Sequence, residues 1–202
     1  MVASKVRSSS KNIAWLPSNI PIIQESIKGR LPEDKVTSFI RKLGEEHPFD
    51  FIKARAAYLT VPIITGIIDK HVDFIVGTGF SVKVDNEAAE TILKDFMEEL
   101  DFDNFLRHIS RDILIYGNCF TEIVKNKETF SDLKVWNPES MYVKRNETGE
   151  PVKYYQWYEG MGFRLDDAIE FEPEEIAHFT WNKIGNTGYG YGIISPHFEI
   201  IK

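Results

Sequence analysis

Acidic side chains crowd two short stretches, Asp166-Asp167 and Glu172-Pro173-Glu174-Glu175. A hydrolase needs such a pair, because one carboxylic acid must carry a proton while the other stays ionised. Here both stretches fall at turns, and the second runs straight into the apolar Ile176, so they read as solvated turns at strand entries. The histidines His47, His71, His108, His178 and His197 are scattered, with no pair at metal-ligand spacing on one element. His108 falls on the polar side of a helical segment beside Arg107 and Arg111, and His178 lies in a strand-like run; both suit structural or surface roles. Cys119 is the single cysteine, which excludes an internal disulfide framework and a cysteine-based zinc site and suits a reducing compartment. Gly77-Thr78-Gly79 opens like a dinucleotide fingerprint but lacks the third glycine and precedes a strand-like run instead of a helix. The helix dipole that would hold a pyrophosphate is therefore missing there. The Tyr-Gly repeat at 187–192 has no Lys-Ser/Thr after it, so it is not a P-loop, and its glycine content reads as a mobile loop. No Gly-x-Ser-x-Gly elbow presents a nucleophile. These residues name no catalytic, cofactor-binding or metal-binding position.

The remaining chemical feature is aromatic. Trp136, Tyr142, Tyr154, Tyr155, Trp157 and Tyr158 lie in strand-like segments. Cross-strand packing accounts for such rings; a stacking platform for sugars or bases is the alternative.

Two kinds of element must carry these residues. Asp50 precedes a helical pattern over 51–75, with Ala54, Tyr58, Val61, Ile64, Ile68, Val72 and Ile75 recurring at three or four residues. Pro62 should kink or divide it, and Gly77 should stop it. Phe80–Val84 alternates apolar with polar residues like a short strand. Asp85-Asn86 caps a helix over 87–100, whose core face is Ala89, Ile92, Leu93, Phe96, Met97 and Leu100 and whose other face is acidic. After a tight turn at Asp101-Phe102, a helix over 103–116 turns Phe105, Leu106, Ile109, Ile113 and Leu114 inward. Beyond Gly117 the pattern shifts to short β-branched and aromatic runs at 119–124, 133–136, 141–144, 152–158 and 176–181, separated by turn clusters, with 146–149 as a hairpin connection. Helices followed by a small, mostly antiparallel sheet make an α+β fold, and Ser195-Pro196 reads as a strong start of a further helix, which the resemblance given below implies is long.

The 202 residues, 43% of them apolar, suffice for one domain with a true core. Residues 1–36 hold three prolines and a serine run and read as a poorly ordered or extended segment. No apolar run of membrane-spanning length and no signal peptide stands out. The net charge of −7 argues against a protein that grips duplex DNA by neutralising phosphates, but not against one that DNA slides past. Because the chain stops just after a strong helix start at Ser195, it reads as a fragment or a truncated product.

Five segments in series resemble the N-terminal half of portal proteins of tailed bacteriophages: 67–80 with its Gly-x-Gly exit; 112–124 with its Tyr116-Gly117-Asn118 turn from helix to strand; 133–143; 171–179; and Tyr191-Gly192-Ile193-Ile194-Ser195-Pro196. Trp136-Asn137-Pro138 departs from the aliphatic residue and Asp-Pro that are commoner there. The resemblance implies a flexible arm over 1–45, a portal wing-like α+β domain over 46–182, and over 183–202 a loop and the start of a truncated stem helix. It also implies a structural protein, not an enzyme, without cofactor or metal. In the intact form, copies of itself would form a ring, of twelve by resemblance, at one capsid vertex of the virion, made in the host cytoplasm. The implied partners are the terminase motor, capsid and head-tail connector proteins, and DNA passing without sequence specificity; no membrane is implied. The acidic face of 87–99 meeting Lys125, Lys127 and Lys134 of a neighbour is one expected contact between copies. The rival is a carbohydrate- or nucleic-acid-processing enzyme on the aromatic-rich sheet, which requires a pocket holding two carboxylates or a His–acid pair. A binding module from a degenerate provirus, folding without assembling, is a third reading.

Overall fold

The computed structural model describes residues 33–77, 79–126, 129–158 and 160–195. Among the described residues, five helices come first: α1 (Glu33–Leu43), α2 (Phe51–Thr60), α3 (Pro62–Val76), α4 (Glu87–Glu99) and α5 (Phe102–Tyr116). Six strands follow: β1 (Asn118–Asn126), β2 (Thr129–Trp136), β3 (Met141–Arg145), β4 (Pro151–Gln156), β5 (Ile169–Phe171) and β6 (Ile176–Thr180). They form two three-stranded antiparallel sheets, in the orders β2-β1-β6 and β3-β4-β5. The α+β order expected from the pattern is the order found.

Local chemistry sets the breaks. The Asp50 carboxylate accepts the Lys53 N–H at 3.0 Å and starts α2. Val61 ends α2 and opens α3, with Pro62 in the first turn, where its missing N–H costs nothing. The expected long helix is therefore divided, and its halves meet at 97°. No single helix among the described residues is long and apolar enough to cross a membrane. Asn86 caps α4 by accepting from the N–H groups of Ala88 and Ala89. Asp101, in the left-handed region at φ 48°, turns α4 into α5. Gly117 at φ 74° ends α5 and releases β1 at once.

The main core lies where α2, α3 and α5 cover the two sheets. Phe51, Ile68, Val72, Leu114, Phe120, Val143, Tyr154 and Phe171 are among its buried side chains. Alternation along β3 and β4 sends Met141, Val143 and Tyr154 into this core, and Tyr142 and Tyr155 to the other face of their sheet. There they meet Trp157 and the α1 residues Phe39 and Leu43. The second sheet is thus covered on both faces.

Several local expectations are corrected. Phe80–Val84 pairs with no strand among the described residues; alternation alone supplied no neighbouring edge. In α4 no residue is fully buried, and the expected core residue Ile92 is 70% exposed. Val76, not Ile75, faces the core at the end of α3, because it continues the i, i+4 stripe of Ile68 and Val72. The strand β5, three residues paired with β4, is too short for alternation to mark it. Residues 33–43, placed by sequence in an arm, form α1; residues 1–32 and the expected long helix from Pro196 lie outside the described residues.

Candidate functional site at the helix-to-strand junction

The turn Tyr116-Gly117-Asn118 passes under the Tyr-Gly segment at 188–192, and the two are stitched together. Asn118 is fully buried, at 0% exposure. Its Nδ2 donates to the carbonyl oxygens of Tyr116 (2.8 Å) and Gly190 (3.0 Å). Its Oδ1 accepts from the Gly190 N–H (2.9 Å) and from His178 Nε2 (3.1 Å). All four hydrogen-bonding positions of the amide are filled, which removes the cost of burying it. Backbone bonds extend the stitch: Trp181 N–H to Gly117 O (2.9 Å), Tyr191 N–H to Trp181 O (3.0 Å) and Ile193 N–H to Leu114 O (2.8 Å).

Glycines make this approach possible. A Cβ on Gly117 would strike the backbone of Gly190 and Tyr191, and one on Gly190 would strike the carbonyls of Trp181 and Gly117. Between the glycines, Tyr189 is 1% exposed. Its hydroxyl accepts from the Val143 N–H (3.0 Å) and donates to the Glu45 carbonyl (3.2 Å), and burial raises its pKa. The expectation of a mobile loop therefore fails over 188–192, where the segment is a plug in the core. The alternation of Gly188, Gly190 and Gly192 with Tyr189 and Tyr191 was the available signal: period two, with one face able to meet another backbone.

Two histidines serve this packing. His178 stacks on Phe120 at 4.1 Å, and burial, with Lys183 nearby, pushes its pKa down to about 3. A ring held neutral with its Nε2 hydrogen on Asn118 has no proton to trade near neutral pH. His47 lies between Phe51 (4.3 Å) and Tyr142 (4.9 Å), donates to the Met141 carbonyl at 2.9 Å, and is likewise lowered by burial. Cys119 is buried, and burial raises its thiol far from the thiolate form that reacts.

One charged cluster sits beneath the turn. Glu139 takes Arg55 Nε at 3.0 Å and the Tyr116 hydroxyl at 3.2 Å. Burial raises the Glu139 carboxyl and pushes that of the neighbouring Asp112 up to about 8. Arg111 Nε is buried without a hydrogen-bond acceptor, and its nearest carboxylate oxygen, on Asp69, is 3.6 Å away. The acids named by sequence do turn work instead. Asp167 Oδ2 accepts from the Arg164 N–H, and Glu175 Oε2 from the Glu172 N–H. Of the aromatic set, Tyr142, Tyr154, Tyr155 and Trp157 are buried and Trp136 is half-buried under Lys134, which leaves Tyr158 alone exposed. That is a core and not a stacking platform.

Two clefts can be described, of which the first adjoins the junction through His178. One, of about 170 Å³, is lined by Arg145, Lys183, His178 and Tyr154. The Arg145 guanidinium there is already committed to Glu45, Gly149 and Asn186. The other, of about 460 Å³, opens between 79–82 and the α4–α5 turn. Among the described residues no three His, Cys, Asp or Glu side chains converge as metal ligands.

A neutral histidine, a saturated amide and interlocked glycines make this junction a joint between chain segments. Residues 53–191 match the family described as phage portal protein, SPP1 Gp6-like, and the chain belongs to that family. Its members are structural virion proteins and not catalysts. The fold is similar to a chain of the virion of a native gene transfer agent particle, at TM-score 0.50 and 17% identity, over 89% of this chain and 45% of that one. A chain from the neck of an empty gene transfer agent particle matches at TM-score 0.49 and 19% identity, over 87% of this chain and 44% of that one. The chain thus spans less than half the length of these matched structures. No curated protein matches it.

Proposed function

We propose that this chain forms the outer, wing-like part of a portal ring through which DNA enters and leaves a capsid or a capsid-like particle. The observation that carries this reading is the family match over residues 53–191. The junction supports it: a turn stitched to a segment some seventy residues away in sequence holds a helix, a sheet and the outgoing chain in one rigid relation. The net charge of −7 fits a conduit, because tight phosphate contacts would slow a moving duplex. In this reading copies of the chain close a ring, twelve by resemblance to the family, at a single vertex. The terminase motor docks on it and supplies ATP hydrolysis, and capsid and connector proteins surround it. DNA passes without sequence recognition.

The test is to express the whole reading frame that contains these residues, then weigh and image the product. Closed rings with a central channel are expected. A product that stays monomeric at all concentrations sinks the reading. The enzyme alternative would instead show turnover that is lost with a pair of acids; Asp167 and Glu175, in the two acidic stretches, cap turns, which speaks against it.

A further inference from the structure

Helix α3 is apolar on two opposite sides. Ile68, Val72 and Val76 face the core, while Ile63, Ile67 and Phe74 form a stripe on the far side. Ile63 is 70% and Phe74 75% exposed. At 100° per residue these two stripes point away from each other, the pattern of a helix meant to be covered on both faces. The charges of α3 are sorted in the same way. Asp73 and Asp69 turn to Arg107 (2.9 Å) and Arg111 (3.6 Å) of α5. Lys70 is left with the outer stripe, its ammonium 5.6 Å from the Phe74 ring centre.

Helix α4 presents the complement. Its half-buried side is Leu93, Phe96, Met97 and Leu100, and its outer side carries the exposed Ile92 between Asp95 and Glu99, neither of which forms an ion pair among the described residues. The two helices, of 15 and 13 residues, match in length.

We propose that the outer face of α3 docks against the outer face of α4 of a second copy of this chain, pairing Ile67 and Phe74 with Ile92, and Lys70 with Asp95 and Glu99. The proposal rests on the portal reading and names the contact by which that ring would grow. Charge selects the pairing: α4 on α4 sets acid against acid and α3 on α3 sets Lys70 against itself, whereas α3 on α4 joins opposite signs. Such a contact uses two different patches, so it is head-to-tail and can close into a ring. The hairpin β1–β2 fits the acidic face less well. Its described side chains include no large exposed apolar residue, and Lys134 lies over the Trp136 ring at 3.7 Å.

The test uses the whole reading frame, with Ile67→Cys in one preparation and Ile92→Cys in another; the native Cys119 is buried. Mild oxidation of the mixture is expected to give a disulfide-linked pair that neither preparation gives alone. Lys70→Glu should weaken association about tenfold, and Lys70→Glu combined with Glu99→Lys should restore it. Rings that form normally in every variant, without cross-links, overturn the contact and leave the portal reading standing. Cross-linked pairs without rings keep the contact and remove the portal reading. Self-linked Ile67→Cys pairs overturn the head-to-tail geometry. A monomeric Ile67→Cys that resists thiol labelling shows the stripe to be covered by the chain's own residues, and also overturns the proposal.

Discussion

At Asn118 every donor and acceptor of a buried amide is matched inside the chain, while on α3 the Phe74 ring stands 75% exposed beside Ile63 and Ile67. Both regions are strongly constrained by sequence, but by different means. The first needs small residues at 117, 190 and 192 so that backbones can touch. The second needs large ones that the fold itself does not use. A polar atom left unpaired in a core is costly, whereas an apolar side chain left in water costs the isolated chain little beyond solubility. The junction is therefore complete within one chain, and the α3 stripe becomes complete only on contact with something else.

Asn118→Ala should show the sharpest side of this contrast. It strands the Gly190 N–H and C=O and removes the His178 partner, so a loss of about 3 kcal/mol is expected, read from the urea midpoint. A loss below about 1 kcal/mol would mean that the stitch contributes no more than an average hydrogen bond.

Over the window from pH 6.5 to 8, a smaller effect, about 2 kcal/mol, comes from the charged cluster beneath the turn. Asp112 is raised by burial from 3.8 to about 8, so from about pH 4 to 8 the folded chain keeps a proton the unfolded chain has released, and stability falls as pH rises. His178, lowered from 6.5 to about 3, works in the opposite direction over its own window: the unfolded chain binds the extra proton, so stability rises with pH up to about 6.5. Asp112→Asn should uncover the rise with pH between about 4 and 6.5 that Asp112 offsets, and flatten the decline between pH 6.5 and 8. Parallel declines in variant and parent, followed by denaturant midpoints across that range, would remove Asp112 as the cause.

The smallest effect on folding belongs to the outer stripe. Ile63→Ser with Phe74→Ser should shift monomer stability by no more than about 0.5 kcal/mol, by the same midpoint measurement. A loss as large as that of Asn118→Ala would show the stripe to be packed within the chain and would erase the contrast between the two regions.

The sequence made the local grammar visible and hid the long-range partners. Asp50, Asn86, Pro62 and Gly117 act within a turn of their own position, so the helix limits could be read from them. The Gly-x-Gly spacing at 188–192 looked like freedom because the backbone it meets lies near Gly117, far away in the chain. Phe80–Val84 alternates correctly but found no edge, and the apolar positions of α4 defined a face without saying what covers it. At the site, Asn118 was legible as part of a turn. Its role as an interior clamp was not, since that role depends on His178 and Gly190 arriving from elsewhere.

The bonds from Trp181 N–H to Gly117, from Tyr191 N–H to Trp181 and from Ile193 N–H to Leu114 have a mechanical meaning. Tension applied to the chain at Ser195 would reach this trio within a few residues. It would be handed to the last turn of α5, the start of β1 and the end of β6 before it could peel either sheet. A pull along the chain at that point would thus be borne by backbone hydrogen bonds while the hydrophobic layers behind them stay undisturbed.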